Sequence, residues 1–426
     1  SLPSIRRKIS GVRRKSGRCR HVIADVTRVR CSIPPLRPAT ILPTMNTCSC
    51  SVTPSVDAVM IDEPTPERVA DRLRSDARPG HVAVVLMGAE HAGDFAAYAD
   101  LGDVPGHVVG LFPGIINESR VHRGGALVLH VPALAAPQVV DLSEPVVCDD
   151  LVRQMTEAED RPTLMVFADG TAEHTGRLME MLNDRFGSTC SFVGGGAGRL
   201  DAPGAPCLIA GGRAQSGIAV LLPVNASSTV CARHGWTRSG APLVATRTRG
   251  NVIEHLNWEP AFEVYQRAVK ERTGAAPDRT SLALDGISSP FGLVRSRDED
   301  VVRIPRSVTE TGGIRCSGPI PRHSLLHLME GSQETLEGAA RQARRMVEDG
   351  TSTPPVFVAC CASRSSVSPD EHGTELDLTD DTWTDSASRT AGVLTLGEIG
   401  SMGYGSLEWL NNSYLAASLS HREQDA

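Results

Sequence analysis

Residues 163–198 read TLMVFADGTAEHTGRLMEMLNDRFGSTCSFVGGGAG, two apolar runs around an amphipathic segment. The runs 163–170 and 191–198 have strand length and are bounded by glycine or charge, which predicts buried strands. The segment between them predicts a helix that ends at Gly187, a glycine where a C-terminal cap belongs. The apolar face of that helix consists of Leu178, Met181, Leu182 and Phe186.

The same alternation extends along the chain. Further strand-like apolar runs occupy residues 81–88, 107–112, 126–131, 216–224 and 356–363. Helical patterns occupy residues 65–75, 260–274 and 334–348. A length of 426 residues exceeds what one ordinary core accommodates. We therefore expect an α/β protein of mixed type, with two consecutive domains that are each a mixed sheet with packed helices.

The turn-like Asn257-Trp258-Glu259 marks the predicted boundary between a first domain at 65–257 and a second at 258–420. Residues 1–44 carry eleven Lys or Arg and one acid without a persistent period, which predicts a disordered basic extension. Residues 369–389, acidic and rich in Ser and Thr, are interpreted as a mobile insertion.

Charge and cysteine usage narrow the class of function. The net charge is −7 despite the basic first 44 residues, so the rest of the chain is acidic and disfavours nucleic acid or an anionic membrane as partner. The eleven cysteines are odd in number and lack paired Cys-x-x-Cys spacing, so we expect reduced thiols and no metal site. No window of 18 uncharged apolar residues occurs, and a cytoplasmic protein without a cofactor is expected.

Several segments together resemble the FIST family, a two-part sensory module. In the first half they are VVGLFPGIINES (108–119), FADG (167–170), VGGGAG (193–198) and Gly250-Asn251. In the second half they are PFG (290–292) with Arg295 after it, CASR (361–364), GEI (397–399) and NNS (411–413). The chain departs from the family pattern at Leu111, Phe112 and Pro113, and at Ser296, where ligand contacts would be altered.

The resemblance implies a signal-transduction sensor that binds a small ligand, with amino acids as the leading class, and has no catalytic activity. Since the sequence carries no kinase, cyclase or methyl-accepting segment, a signalling protein is an expected partner. Two alternatives stay open: a thiol- or carboxylate-dependent hydrolase of small amides, centred on Cys361 or Glu398, and a scaffold for another signalling protein. No Gly-x-Ser-x-Gly, Walker or His-Glu-x-x-His arrangement supports an enzyme.

Glu398 and Arg364 are the first candidate site residues. A carboxylate at the end of an apolar strand needs a cation or several donors, and a ligand ammonium group would supply one. Arg364 could hold a ligand carboxylate with two parallel bonds. The alternative for both is a structural salt bridge, in which Arg364 or Arg295 pairs with Glu398.

The remaining candidates come from the first half and from the family motifs. Gly194, Gly195 and Gly196 offer bare backbone N–H groups to an anion, or merely form a tight turn. Asp169 is either a ligand contact or a helix N-cap. Arg295 and Asn411 are ligand candidates through the resemblance alone. We expect the ligand between the halves, where it would contact Glu398, Arg364 and Gly195.

The basic extension generates the first testable prediction. Deleting residues 1–44 is expected to leave the melting temperature of the protein unchanged, because a segment without apolar periodicity contributes no core. Differential scanning calorimetry of the truncated and full-length chains checks this. A loss of several degrees on truncation would show that the segment is part of the fold.

Overall fold

The structure is a computed structural model, and it describes residues 52–54, 57–104, 106–118, 120–144, 148–158, 161–295, 299–348, 356–366, 390–401 and 407–422. The predictions for residues 1–44 and 369–389 lie outside the described residues. The described residues all belong to one compact unit.

Strands predominate in the described residues. In the first half they are β1 (Val52–Pro54), β2 (Asp57–Ile61), β3 (His81–Gly88), β4 (His107–Phe112), β5 (Gly114–Asn117), β6 (Arg120–His122), β7 (Ala126–Pro132), β8 (Gln138–Asp141), β9 (Thr163–Asp169), β10 (Ser191–Ala197), β11 (Leu208–Ala210), β12 (Arg213–Gln215), β13 (Ile218–Val224), β14 (Ser227–Arg233), β15 (Thr237–Arg249) and β16 (Val252–Leu256). They continue with β17 (Glu259–Pro260), β18 (Phe291–Leu293), β19 (Val301–Arg303), β20 (Pro305–Val308), β21 (Ile314–Cys316), β22 (Leu325–Glu330), β23 (Val356–Cys361), β24 (Thr390–Thr395), β25 (Glu398–Gly400), β26 (Glu408–Leu410) and β27 (Tyr414–Arg422).

The helices of the described residues are α1 (Pro66–Ser75), α2 (Asp149–Glu157), α3 (Thr175–Phe186), α4 (Ala261–Thr273), α5 (Leu282–Ser288) and α6 (Gln333–Glu348). Helix α3 buries Leu178, Leu182 and Phe186 and ends at Gly187, as its pattern predicts. Helix α4 ends at Gly274 in the left-handed conformation. The mixed α/β class is confirmed, and so are the predicted strands at β3, β4, β7, β9, β10, β13 and β23.

Four sheets organise these strands. One has the order β12-β11-β4-β3-β7-β2, and a second has the order β26-β25-β10-β9-β13-β8. A third has the order β1-β27-β23-β24-β5-β6, with β14 beside β27, and the fourth runs β19-β18-β22-β15-β16-β21-β20, with β17 beside β16. In the described residues, strands from both predicted halves share the second, third and fourth sheets, for example through β10 with β25, β24 with β5, and β15 with β22.

Each of three sheets contains one parallel pair: β3 with β4, β9 with β10, and β23 with β24. These strands are buried on both faces, which explains why they are continuous apolar runs in the sequence. Three aromatic rings join the sheets. Phe167 makes edge-to-face contacts with Phe112 and with Phe357, and the ring centroids are 5.7 Å and 6.5 Å apart. The three rings come from β9, β4 and β23, so the parallel pairs pack around one shared core.

The glycines at 194–196 belong to strand β10, not to a turn, and this corrects one interpretation drawn from the sequence. Gly195 pairs with Glu398 of β25, and Gly194 pairs with Ile399. A Cβ atom on Gly195 would collide with Cγ2 of Thr395 and would lie 3.2 Å from the carbonyl oxygen of Gly397. Glycine is therefore needed here for the close approach of Thr395 at the end of β24 and of Gly397, which leads into β25.

This contact predicts that Gly195→Ala lowers the free energy of unfolding by about 1 to 3 kcal/mol, the usual cost of overpacking. Urea denaturation of the purified variant measures the loss. Gly93→Ala is the matched control, because a Cβ at Gly93 has no neighbour within 4 Å. Equal stabilities for the two variants would contradict the close-approach explanation.

Candidate functional site

A cavity lies where the three parallel pairs end. Its volume is about 510 Å³. The residues that follow the strands line it: Ala89 and Glu90 after β3, Pro113 after β4, Arg199, Leu200 and Asp201 after β10, Ala362 after β23 and Leu396 after β24, together with Arg123. The crevice beyond the carboxyl ends of parallel strands is where open α/β sheets hold ligands. Both halves of the chain contribute to its wall.

The cavity wall combines charges of both signs with apolar surface. Arg199 donates through Nε to Oδ1 of Asp201 at 2.9 Å and through Nη2 to Oδ2 of the same carboxylate. These bonds lower the pKa of the Asp201 carboxyl. Leu200, between them in sequence, is 55% exposed. A ligand in the cavity could cover it.

Glu398 follows the cavity-lining Leu396 by two residues but is itself fully buried. Its Oε1 is 2.6 Å from the hydroxyl oxygen of Thr395, and its Oε2 accepts the backbone N–H of Ser413 at 3.1 Å. The salt bridge considered as the alternative to ligand binding is not formed, because neither Arg364 nor Arg295 makes an ion pair with Glu398 among the described residues. Thr395 and Ser413 are its partners instead.

The Glu398 carboxyl is stabilised in its protonated form. Burial raises its pKa strongly above the ordinary value, although the bonds from Thr395 and Ser413 and the charge of Arg364 act in the opposite direction. The geometry agrees, since the Thr395 hydroxyl can donate to the carbonyl oxygen of Cys360 at 3.3 Å and accept from a protonated Oε1. A neutral carboxyl therefore fits a site without a salt-bridge partner.

Cys361 lies against Glu398 at the end of β23. Its sulfur is 3.0 Å from the hydroxyl oxygen of Ser363, and that hydroxyl donates to Oδ1 of Asn412. Burial and the nearby Glu398 raise the pKa of the Cys361 thiol, while bonds from Ser363 and the Asn412 backbone lower it. The balance favours the thiol over the thiolate, so this cysteine lacks the activation that a nucleophile needs.

Arg364 is also fully buried, and its guanidinium binds carbonyl oxygens. Nη1 donates to His234 at 2.9 Å and to Asn412 at 3.0 Å, and Nη2 donates to Leu336 at 2.7 Å. A guanidinium whose two terminal nitrogens are bonded in this way holds three segments of the chain together. It leaves no free pair of Nη groups for the two-bond ligand contact considered above.

The remaining predicted site residues lie in separate places. Asp169 accepts the backbone N–H of Thr171 at 2.9 Å and of Gly217 at 2.8 Å, and it is not a helix cap, because α3 begins only at Thr175. Arg295 forms an ion pair with Glu408. Asn411 is buried and accepts the hydroxyl of Ser317 at 2.8 Å.

The backbone N–H groups at the glycines are occupied as well. Gly196 donates to the carbonyl oxygen of Gly397 at 2.7 Å, and Gly198 donates to that of Leu111 at 2.8 Å. Gly195 and Glu398 are thus neighbours through sheet pairing. Of the cavity residues, sequence reasoning singled out only Pro113, as a departure from the family pattern. One signal could have found several others, because Ala89, Glu90 and residues 199–201 come directly after predicted strands.

In the described part of the chain, no group of three or more His, Cys, Asp or Glu side chains is arranged to hold a metal ion. None of the helices in that part combines the length and apolar character needed to cross a bilayer.

Comparison with known protein families agrees with the motif resemblance. The FIST N domain matches residues 81–259, and the FIST C domain matches residues 261–401. Together the two matches cover most of the chain. No curated protein sequence matches it.

The raised pKa of Glu398 generates a prediction about pH. Because the folded state holds this proton more tightly than the unfolded state, whose glutamate pKa is about 4.3, its contribution to stability is full below that value and declines as pH rises toward the raised pKa. Relative to Glu398→Gln, the wild type should lose up to about 1.4 kcal/mol of unfolding free energy per pH unit between pH 5 and 7.

Urea denaturation of both proteins at pH 5, 6, 7 and 8 measures this difference. Glu271→Gln, which removes one exposed carboxyl from α4, controls for the change in net charge. An unfolding free energy of the wild type that stays constant or rises relative to Glu398→Gln between pH 5 and 7 would mean that the carboxyl is buried ionised.

Proposed function

The chain belongs to the FIST family, and from that premise we propose that it is a sensor that binds a small ligand in the cavity between its two domains and catalyses no reaction. FIST domains are generally sensory domains in signal transduction. The proposal adds where the ligand binds, what class it belongs to and how its presence would be transmitted.

The observation that carries the proposal is the position of the cavity. Its wall is built from the ends of β3, β4 and β10 in the N domain and of β23 and β24 in the C domain. A volume of about 510 Å³ falls in the range of small-molecule sites. A ligand held there would contact both domains at once, as a sensor of a small molecule requires.

An amino acid is the ligand class that the wall suits best. Arg123 and Glu90 lie on the same wall as the ion pair of Arg199 with Asp201, so groups for a carboxylate and for an ammonium are present together. Pro113, Leu200 and Leu396 supply apolar surface for a side chain. A zwitterion with an apolar side chain would find complementary groups at each end.

The effect of a bound ligand would pass into the core through residues next to the cavity wall. Ala362 and Leu396 line the cavity, while their neighbours Arg364 and Glu398 are bonded into the buried core. A ligand that prefers one arrangement of this wall shifts the protein toward it. We propose that a signalling protein reads this shift in packing, and that the protein functions in the cytoplasm.

A hydrolase is the less favoured alternative. The groups that act most on the Cys361 thiol are Glu398, Ser363 and the backbone of Asn412, and none of them is a histidine base. The thiol is also fully buried, with its pKa raised. These conditions suit a structural cysteine within a polar network.

Binding in the cavity predicts a specific response to mutation. A thermal-shift screen of the twenty amino acids against the full-length protein should find at least one that raises the melting temperature, because a ligand that binds only the native state stabilises it. Leu200→Ala should weaken that ligand about fivefold, corresponding to about 1 kcal/mol of lost apolar contact.

Leu284→Ala is the matched control, since Leu284 is also an exposed leucine, at 72%, but lies on α5 and not on the cavity wall. Isothermal titration calorimetry with the identified amino acid compares the two variants. Equal binding by Leu200→Ala and wild type would place the ligand elsewhere, and the absence of any stabilising amino acid would contradict the ligand class.

A further inference from the structure

The hairpin between β16 and β17 carries a tryptophan in its loop. Leu256 pairs with Glu259, so the loop consists of Asn257 and Trp258 alone. Trp258 is 78% exposed, the highest value for a large apolar residue in the described part of the chain. Tryptophan normally buries most of its ring, so an indole held in solvent calls for an explanation.

The backbone of this loop is one that glycine adopts far more readily than tryptophan. Asn257 has a φ of 48° and Trp258 a φ of 67°, and two positive φ angles are the pattern of a type I′ hairpin turn. Asn-Gly is a preferred pair in such a turn, because a side chain on the second residue is crowded in the left-handed conformation. Local structure therefore favours glycine at this position, and the tryptophan needs another reason.

Neighbouring residues hold the loop in this conformation. The backbone N–H of Asn257 donates to the carbonyl oxygen of Val244 at 2.9 Å, and Oδ1 of Asn257 accepts the N–H of Val244 at 2.8 Å. The N–H of Trp258 donates to the hydroxyl oxygen of Thr246 at 3.0 Å. An unfavourable backbone conformation persists only where the surroundings over-determine it, and such places are concentrated at functional sites. The indole thus projects from a rigid support, which lowers the entropic cost of contact with a partner.

An arginine reaches the surface at the same place. Nε of the exposed Arg322 donates to the carbonyl oxygen of Thr246 at 3.3 Å, so Trp258 and Arg322 are bonded to the same residue. The next residue, His323, donates its backbone N–H to Ala245 at 2.8 Å and has a φ of 66°. With the two loop residues, three of the five positive-φ residues other than glycine in the described ranges lie here. Unfavourable backbone conformations are therefore concentrated around this surface.

The carboxylates beside the loop are already neutralised, whereas one guanidinium is not. Glu259, which follows the tryptophan, forms an ion pair with Arg267 at 2.7 Å, and Glu254 on β16 forms one with Arg247 at 2.5 Å. Across the residues that the structure describes, the guanidinium of Arg322 forms no ion pair. This leaves a local excess of positive charge in a chain whose net charge is −7.

We propose that Trp258 and Arg322 form a docking surface for an acidic segment of a partner protein. An apolar part of that segment would cover the indole, and a carboxylate beside it would pair with the guanidinium, to which it can form two parallel bonds. Tryptophan and arginine are enriched among the residues that dominate the binding energy of protein interfaces. The acidic net charge of the chain disfavours an anionic membrane as the partner. Neither residue lines the cavity, so the proposal is independent of the sensory ligand.

A phage-displayed library of random dodecapeptides, selected on the immobilised full-length protein without added amino acids, is the probe. The enriched peptides should carry Asp or Glu beside an apolar residue. In fluorescence anisotropy, a fluorescein-labelled copy of the most enriched peptide should bind Trp258→Gly and Arg322→Gln about tenfold more weakly than the wild type. Added salt should weaken binding to the wild type more than binding to Arg322→Gln, because the variant lacks the charge pair.

Trp258→Gly separates binding from folding, because glycine suits the positive φ of this position. Its melting temperature should be no lower than that of the wild type. Leu284→Ala removes another exposed apolar side chain, and Arg315→Gln removes an arginine that is paired with Glu173. Both controls should bind the peptide as the wild type does.

The proposal is overturned if the selection enriches no acidic peptide or if either variant binds the peptide as tightly as the wild type. A melting temperature of Trp258→Gly several degrees below that of the wild type would also overturn it, since the indole would then be part of the fold. Binding to phosphatidylglycerol vesicles, or self-association in sedimentation velocity, that Trp258→Gly abolishes would replace the acidic segment by a membrane or by a second copy of the chain.

Discussion

The close approach of β25 to the side-chain-free backbone of β10 is the constraint on which the rest of the structure depends. Gly194 and Gly195 pair with Ile399 and Glu398, and any side chain at Gly195 would occupy the space of Thr395. This pairing inserts a C-domain strand into a sheet whose other central strands come from the N domain. It also carries Glu398 into the core, where the carboxyl has to find neutral partners.

The buried polar network follows from that placement. Glu398 is bonded by Thr395 and Ser413, Cys361 by Ser363, and Arg364 by carbonyl groups of three segments. This network makes the surrounding structure rigid. Breaking one of its hydrogen bonds would leave a buried polar group without a partner, which costs free energy. In the described residues, some buried side-chain nitrogens beside this network have no hydrogen-bond partner, among them the amide nitrogens of Asn411 and Asn412 and Nε of Arg364.

One short segment connects the cavity to the buried polar network. Ala362 lines the cavity at the strand ends, while Cys361 and Ser363 on either side of it are bonded within that network. Arg364 ties the same segment to the core through carbonyl groups of His234, Asn412 and Leu336. The wall of the cavity therefore rests on a rigid support.

The sequence by itself determined the elements and the class of fold. Apolar runs such as 81–88 and 163–169 are strands because they are buried on both faces, and the pattern of α3 with Gly187 needs only local contacts. The order of several weak motifs also sufficed to indicate the family. Only the tertiary structure decided the sites: that the strand ends enclose a cavity, that Glu398 binds Thr395 and Ser413, and that Arg364 is bonded to three carbonyl groups. The physical reason is that hydrogen-bond partners and burial of these groups come from segments far apart in sequence, which pack together only once the sheets have formed.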